Sequence, residues 1–244
     1  SRMALFIGMM ILVIYWVLTF TLGVPGHPYS LSGYFGNAID LNVLRISHVY
    51  KGEGVPFDPE GLTSTLPAIV QVIFGYLVGE YIQLKGKNFE MLAKLILTGV
   101  ILVFVGYIWD FSFPINKKIW TSSYVFYTSG LAIITLSMFI YLLEFNNAKG
   151  KWSQFFDVFG KNPLFIFVLS GFLPRVLALL RWVDHVDEKG ETVYTNALPW
   201  FDQHVCKDVA TDLRIGSLLY ALCIIAFMGA IAYLLDKKKI YIRV

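Results

Sequence analysis

Apolar residues gather into six runs, 3–24, 62–84, 91–110, 121–144, 164–182 and 215–235, and the segments between them hold most of the charge. Each run approaches the roughly 20 residues that carry a helix across a hydrocarbon core of about 30 Å. Leu, Ile, Phe and Gly are spread through the runs without the period-2 alternation and turn spacing of a transmembrane barrel, so helices close the backbone hydrogen bonds internally. The pattern predicts an all-α fold, a polytopic transmembrane helix bundle of about six spans in a single domain over residues 1–244. Two long outer loops, 25–61 and 183–214, and a shorter one, 111–120, complete it.

Composition agrees with that pattern. Of the 244 residues, 57% are hydrophobic and 15% charged, against about 45–50% and 25% in soluble domains. A formal net charge of +3, with no aromatic-interleaved basic groove, gives no nucleic-acid partner. The basic residues report topology instead. Arg2, Lys85, Lys87, Lys149, Lys151, Lys237, Lys238, Lys239 and Arg243 fall at one set of helix ends, which the positive-inside bias assigns to the cytoplasm together with both termini. The chain opens almost directly on an apolar run without an initiator Met, which reads as the cut edge of a longer polypeptide whose missing N-terminal helices precede it. Walker, dinucleotide, nucleophile-elbow and HExxH patterns are absent.

Local punctuation sharpens the picture. Pro25, Gly26 and Pro28 stop the first helix, and 37–49 has the near-helical apolar spacing of a short interfacial helix. Asp58-Pro59-Glu60-Gly61 then stands at the mouth of the second span, whose Thr63, Ser64, Thr65 and Pro67 suit a helix N-terminus. Gly75 and Gly79 form a GxxxG pair, read first as helix packing, and Glu80 is placed to snorkel or to pair with Lys85. Tyr107 and Trp109 mark an aromatic belt before a short turn rich in amide, ammonium, indole and hydroxyl groups, Asn116 to Ser123. Residues 146–155 read as a polar turn, 156–163 as a breaker and restart at Pro163. Arg175 is a charge within a span, where an acidic partner such as Asp184 or a lipid phosphate would offset its cost. In the last outer loop Asp184, His185, Asp187, Glu188, Glu191, Asp202, His204, Asp208 and Asp212 read as a solvated acidic segment rather than a metal site, which needs three or four convergent ligands.

Three motifs in order, FDPEGLTSTLPAI, PINKKIWTSSYVFYTSGLA and VFGKNPLFIFVLSG, resemble the C-terminal half of the heparan-α-glucosaminide N-acetyltransferase family, which includes bacterial membrane acyltransferases. The resemblance covers nearly all of the chain. It implies a membrane enzyme, in a bacterium one of the inner membrane, that takes acetyl from acetyl-CoA as co-substrate on the cytoplasmic side and delivers it to the amino group of a glucosamine-type sugar on the other. The family's catalytic histidine lies in an earlier loop, and none of His27, His48, His185 or His204 matches its motif.

Acetyl transfer to an amine needs a base, donors for the developing oxyanion and a cleft for the thioester. Asp58 and Glu60 suit the sugar's ammonium or hydroxyls; Ser64, Asn116, Thr121 and Ser122 suit donation to sugar or carbonyl; Lys117 suits an anion; Trp120 suits stacking on a sugar ring. DPEG reads equally as a turn and helix cap, in which Asp begins the turn, Pro fixes φ and Glu favours the helix dipole. A transporter of N-acetylglucosamine, with Arg175 in a midplane site, is the alternative to the enzyme. A noncatalytic scaffold is a third reading, and small residues on the spans allow a homodimer.

Overall fold

In the computed structural model, residues 2–186, 190–209 and 212–242 are described. Asp187, Glu188 and Arg243, which the sequence assigns to the acidic loop and the basic ends, lie outside the described residues. The chain divides into two compact units, Ser1–Ala148 and Lys149–Val244.

The first unit holds α1 (Arg2–Leu22), α2 (Phe35–Leu44), α3 (Thr65–Lys85), α4 (Phe89–Asp110) and α5 (Ser122–Ile140), which runs on through a π turn, Tyr141–Phe145. The second holds α6 (Lys151–Lys161), α7 (Pro163–Leu177), the paired strands β1 (Trp182–Val186) and β2 (Thr192–Thr195), α8 (Ala197–Phe201) and α9 (Leu213–Lys237). Helices α1, α3, α4, α5 with its π turn, and α9 are long and apolar enough to cross a membrane; α6 and α7, bent by 78° at a break, make a sixth span if counted as one. The protein is an all-α polytopic bundle carrying one small hairpin. Large side chains such as Phe6, Phe104 and Phe111 are 63%, 63% and 84% exposed, an apolar surface suited to hydrocarbon rather than water.

Small residues set the tightest contact, between α4 and α5. A Cβ on Gly106 would stand 2.6 Å from the Tyr127 amide nitrogen, and one on Gly130 would stand 2.6 Å from the Gly99 carbonyl oxygen; only glycine lets these backbones meet. At one end of this unit Tyr15, Tyr34, Phe35, Phe57, Phe113 and Ile119 form a buried aromatic core. There the Tyr15 hydroxyl lies 2.6 Å from that of Tyr34 and donates to the Ile119 carbonyl at 2.5 Å. Loops far apart in sequence are thereby fastened over the end of α1.

The structure departs from the sequence reading in several places. The second span begins at Thr65 rather than residue 62, because residues 62–64 form turns held from α2. The polar turn ends at Gly150 and α6 starts at Lys151, since Trp152, Phe155, Phe156 and Phe159 recur at helical spacing and make one apolar face. The fifth run yields only the 15 residues of α7, about 22 Å of helix; residues 178–181 turn out of it and Trp182 opens β1. Finally, Gly75 and Gly79 pack against nothing: a Cβ on either meets no atom within 4 Å.

In the second unit, Asn162 is buried at the break before Pro163 and clamps the tail, its Oδ1 accepting from the Ile242 amide at 2.8 Å and its Nδ2 donating to the Ile240 carbonyl at 3.0 Å. Arg175 donates to the Gly171 carbonyl at 3.3 Å rather than pairing with Asp184. Asp184 sits at a bulge of β1 and faces two imidazoles, His185 Nδ1 at 2.9 Å and His204 Nε2 at 3.9 Å. No group of three or more ligating side chains that could hold a metal ion occurs among the described residues.

Candidate functional site

The residues singled out from sequence occupy two loops of the first unit. In the 58–64 loop, the Asp58 carboxylate accepts from the Glu60 amide at 3.0 Å and the Asp58 carbonyl from the Gly61 amide at 3.1 Å, so Asp58 heads a turn of the Asx kind. It stays half-buried, while Glu60 is exposed. The Ser64 hydroxyl is buried and donates to the Gly61 carbonyl at 2.8 Å, leaving α3 without a cap from its own N-cap residue.

Asp40 of α2 instead holds the turn ahead of α3. Its Oδ1 accepts from the Leu62 amide at 3.0 Å, with the Thr63 amide close beside the carboxylate. The carboxylate is 1% exposed. Burial, then the nearby Asp58 carboxylate, push its pKa above the ordinary range, while the two amides pull it back. Gly61 is the residue that admits it, since a Cβ there would lie 1.9 Å from Asp40 Oδ2. Beside it, burial pushes the Tyr34 phenol up to about 12, so this hydroxyl stays a neutral hydrogen-bonding group.

In the 116–123 turn the groups hold one another. Asn116 Oδ1 accepts from the Lys118 amide at 2.9 Å, and the Asn116 amide donates to Thr121 Oγ1 at 3.0 Å. Thr121 Oγ1 also accepts from the Tyr124 amide at 3.3 Å, capping α5. Ser122 Oγ donates to the Leu12 carbonyl at 2.8 Å and Ser123 Oγ to the Phe113 carbonyl at 2.5 Å. Thr121 and Ser122 are wholly buried, Asn116 and Trp120 half-buried, and Lys117 exposed.

Trp120 has a left-handed backbone with φ of 51°, uncommon for a bulky residue and characteristic of places where surrounding contacts over-determine the chain. Its indole Nε1 donates to Gln71 Oε1 at 3.1 Å, and Gln71 Nε2 donates to Thr128 Oγ1 at 3.2 Å. The two loops meet through Phe57, Phe113 and Ile119 in the aromatic core and through the Lys118–Glu53 ion pair.

Asn116, Trp120, Thr121 and Ser122 thus share one turn, and Asp58 follows Phe57, which joins Phe113 and Ile119 in the aromatic core. The hydroxyls of Ser64, Thr121 and Ser122 are committed to backbone partners. Glu60 and Lys117 are exposed, while the half-buried Trp120 ring packs against Tyr124 and the adjoining core. Asp40 and Gln71 were not singled out from sequence. Gln71 had a signal, a carboxamide inside an apolar run; Asp40 looked like one polar position of an amphipathic helix.

No family model matches the chain. It is similar to heparan-α-glucosaminide N-acetyltransferase of Homo sapiens, at 25% identity over 93% of this chain and 35% of the relative. It is similar also to the Mus musculus protein of the same name, at 26% identity over 95% of this chain and 36% of the relative. The chain therefore spans about a third of the length of the curated relatives it matches. The family resembled by the DPEG, NKKIWTSS and GKNP motifs is the one to which these two relatives belong, and their similarity runs through both units.

Proposed function

We propose that this chain serves in a membrane-embedded N-acetyltransferase, moving an acetyl group from acetyl-CoA to the amino group of a glucosamine-type sugar. The observation that carries the reading is similarity along 93–95% of the chain to proteins named for N-acetyl transfer. It is joined by Phe57, which precedes the 58–64 loop, sharing one aromatic core with Phe113 and Ile119 around the 116–122 turn. In this reading Lys85, Lys87 and Lys237–Lys239 mark the cytoplasmic ends, and the Trp120 end faces the sugar.

The reaction forms a C–N bond at the acetyl carbonyl, breaks its C–S bond and passes the amine proton away as the thiol leaves. Half-buried Asp58 and exposed Glu60 offer acceptors to the sugar's ammonium. The Asn116 amide Nδ2 and the Trp120 ring offer a donor and a stacking face. Thr121, Ser122 and Ser64 act by holding the turns in shape. No histidine of this chain is assigned the proton-accepting role.

The test is incubation of the purified full-length protein in proteoliposomes with labelled acetyl-CoA and glucosamine. Labelled N-acetylglucosamine is expected. Flux of N-acetylglucosamine into the vesicles without acetylation would overturn the reading in favour of a transporter.

A further inference from the structure

The wall between α3 and α5 contains a hydrogen-bond donor with nothing to bond. Thr128, Thr135 and Ser137 of α5 each donate to a carbonyl four residues back. Ser129 does not: its Oγ has no partner, although the residue is only 6% exposed. An unpaired buried hydroxyl costs about 1–3 kcal/mol, so such a group is usually completed by a ligand or neighbour. Ser129 lines a cavity of about 230 Å³ whose other walls include Gln71, Phe74, Val78 and the unpacked Gly75 and Gly79. Gly99 and Gly130 bring α4 and α5 together at backbone distance; Gly75 and Gly79 instead leave a slot.

The walls select the occupant. Two missing side chains above an apolar floor give width for an unbranched chain. A hydrocarbon tail would leave Ser129 unpaired. The ester carbonyl of a lipid lies at the membrane boundary, whereas Ser129 is about 10 Å along α5 from Ser122, at 1.5 Å per residue. An amide within a slender chain satisfies both the shape and the hydroxyl. We propose that the α3/α5 slot binds an unbranched, amide-bearing arm whose carbonyl accepts from Ser129 Oγ. Resting on the acetyl-transfer reading, the arm is that of the acyl thioester co-substrate. Gln71, bonded to Trp120, closes the end of the slot nearest the 116–123 turn.

Equilibrium dialysis of the 244-residue chain in nanodiscs against radiolabelled acetyl-CoA tests this. Wild type is expected to bind saturably. Gly79→Leu places a side chain where nothing stands, so it keeps the fold, verified by thermal unfolding, and weakens binding by more than about tenfold. Ser129→Ala weakens binding by about three- to tenfold, and Val72→Leu, at a position 72% exposed, binds as wild type. Undiminished binding in both Gly79→Leu and Ser129→Ala overturns the slot assignment, as does a phospholipid adduct in native mass spectrometry that is lost in Ser129→Ala. If wild type acetylates glucosamine while the slot variants bind and turn over normally, the slot alone falls. If the full-length protein neither binds acetyl-CoA nor transfers acetyl, the enzymatic reading falls with it.

Discussion

Asp40 and Gly61 form a lock that a double-mutant cycle can open. Asp40→Ala removes the charged acceptor of the Leu62 amide, a bond worth about 1.5–3 kcal/mol, and leaves that amide unpaired under the start of α3. Gly61→Ala acts oppositely, by excess: its Cβ would stand 1.9 Å from Asp40 Oδ2, and relieving such overpacking costs about 1–3 kcal/mol. Once Asp40 is alanine, the overlap with the carboxylate is gone, and what remains near the new Cβ is the Asp58 carbonyl oxygen at 3.2 Å. The double variant is therefore expected to be more stable than the sum of the singles by about 1–3 kcal/mol. Hydrogen exchange of the 61–66 amides in nanodiscs reads the local term, and thermal unfolding the global one. Additivity within about 0.5 kcal/mol would show that Asp40 does not hold this loop.

The same carboxyl gives a pH dependence. Its pKa in the fold lies above the ordinary 3.8, so the folded state holds the proton more tightly than the unfolded one, and stability present below 3.8 is lost as pH rises through the raised value. Thermal stability should decline across that window in wild type and stay level in Asp40→Asn, which keeps an Oδ1 acceptor without the charge; parallel slopes would refute this. Thr121→Ala removes the cap of α5 and is expected to cost about 1 kcal/mol, read as a lowered Tm. Asn162→Ala should free the tail, seen as rapid exchange at the Ile242 amide, with α9 still protected. Asp58→Asn and Asn116→Ala are expected to lower acetyl transfer to glucosamine with the fold retained, and unchanged kinetics in both would remove them from the site.

What could be read ahead of the structure followed from hydrophobic runs. Their lengths located the long helices to within a few residues, because a core about 30 Å thick imposes helix length directly. The short helix expected over 37–49 appears as α2, which starts at Phe35 and stops at Leu44, since its apolar spacing is a local property. The end of α7 and the hairpin were hidden, because a run of apolar residues does not say whether Trp182 and Val183 continue a helix or begin a strand. The candidate turns were visible as polar clusters, but the commitment of Thr121 and Ser122 to backbone partners was not. Ser122 bonds to Leu12, a contact made by tertiary packing. Asp40 escaped notice for the same reason, as its partners lie 22 residues away.

The phenol of Tyr15 has a further meaning for how the protein is made. Its acceptor is the Ile119 carbonyl, 104 residues downstream, and the Leu12 carbonyl waits for Ser122, 110 residues downstream. When α1 enters the bilayer during synthesis, neither of these two bonds can yet exist, so its final seating belongs to the moment the 116–123 turn emerges. Substitutions in that turn should therefore register as failures of biogenesis, in the yield of correctly inserted protein, as well as in the finished molecule.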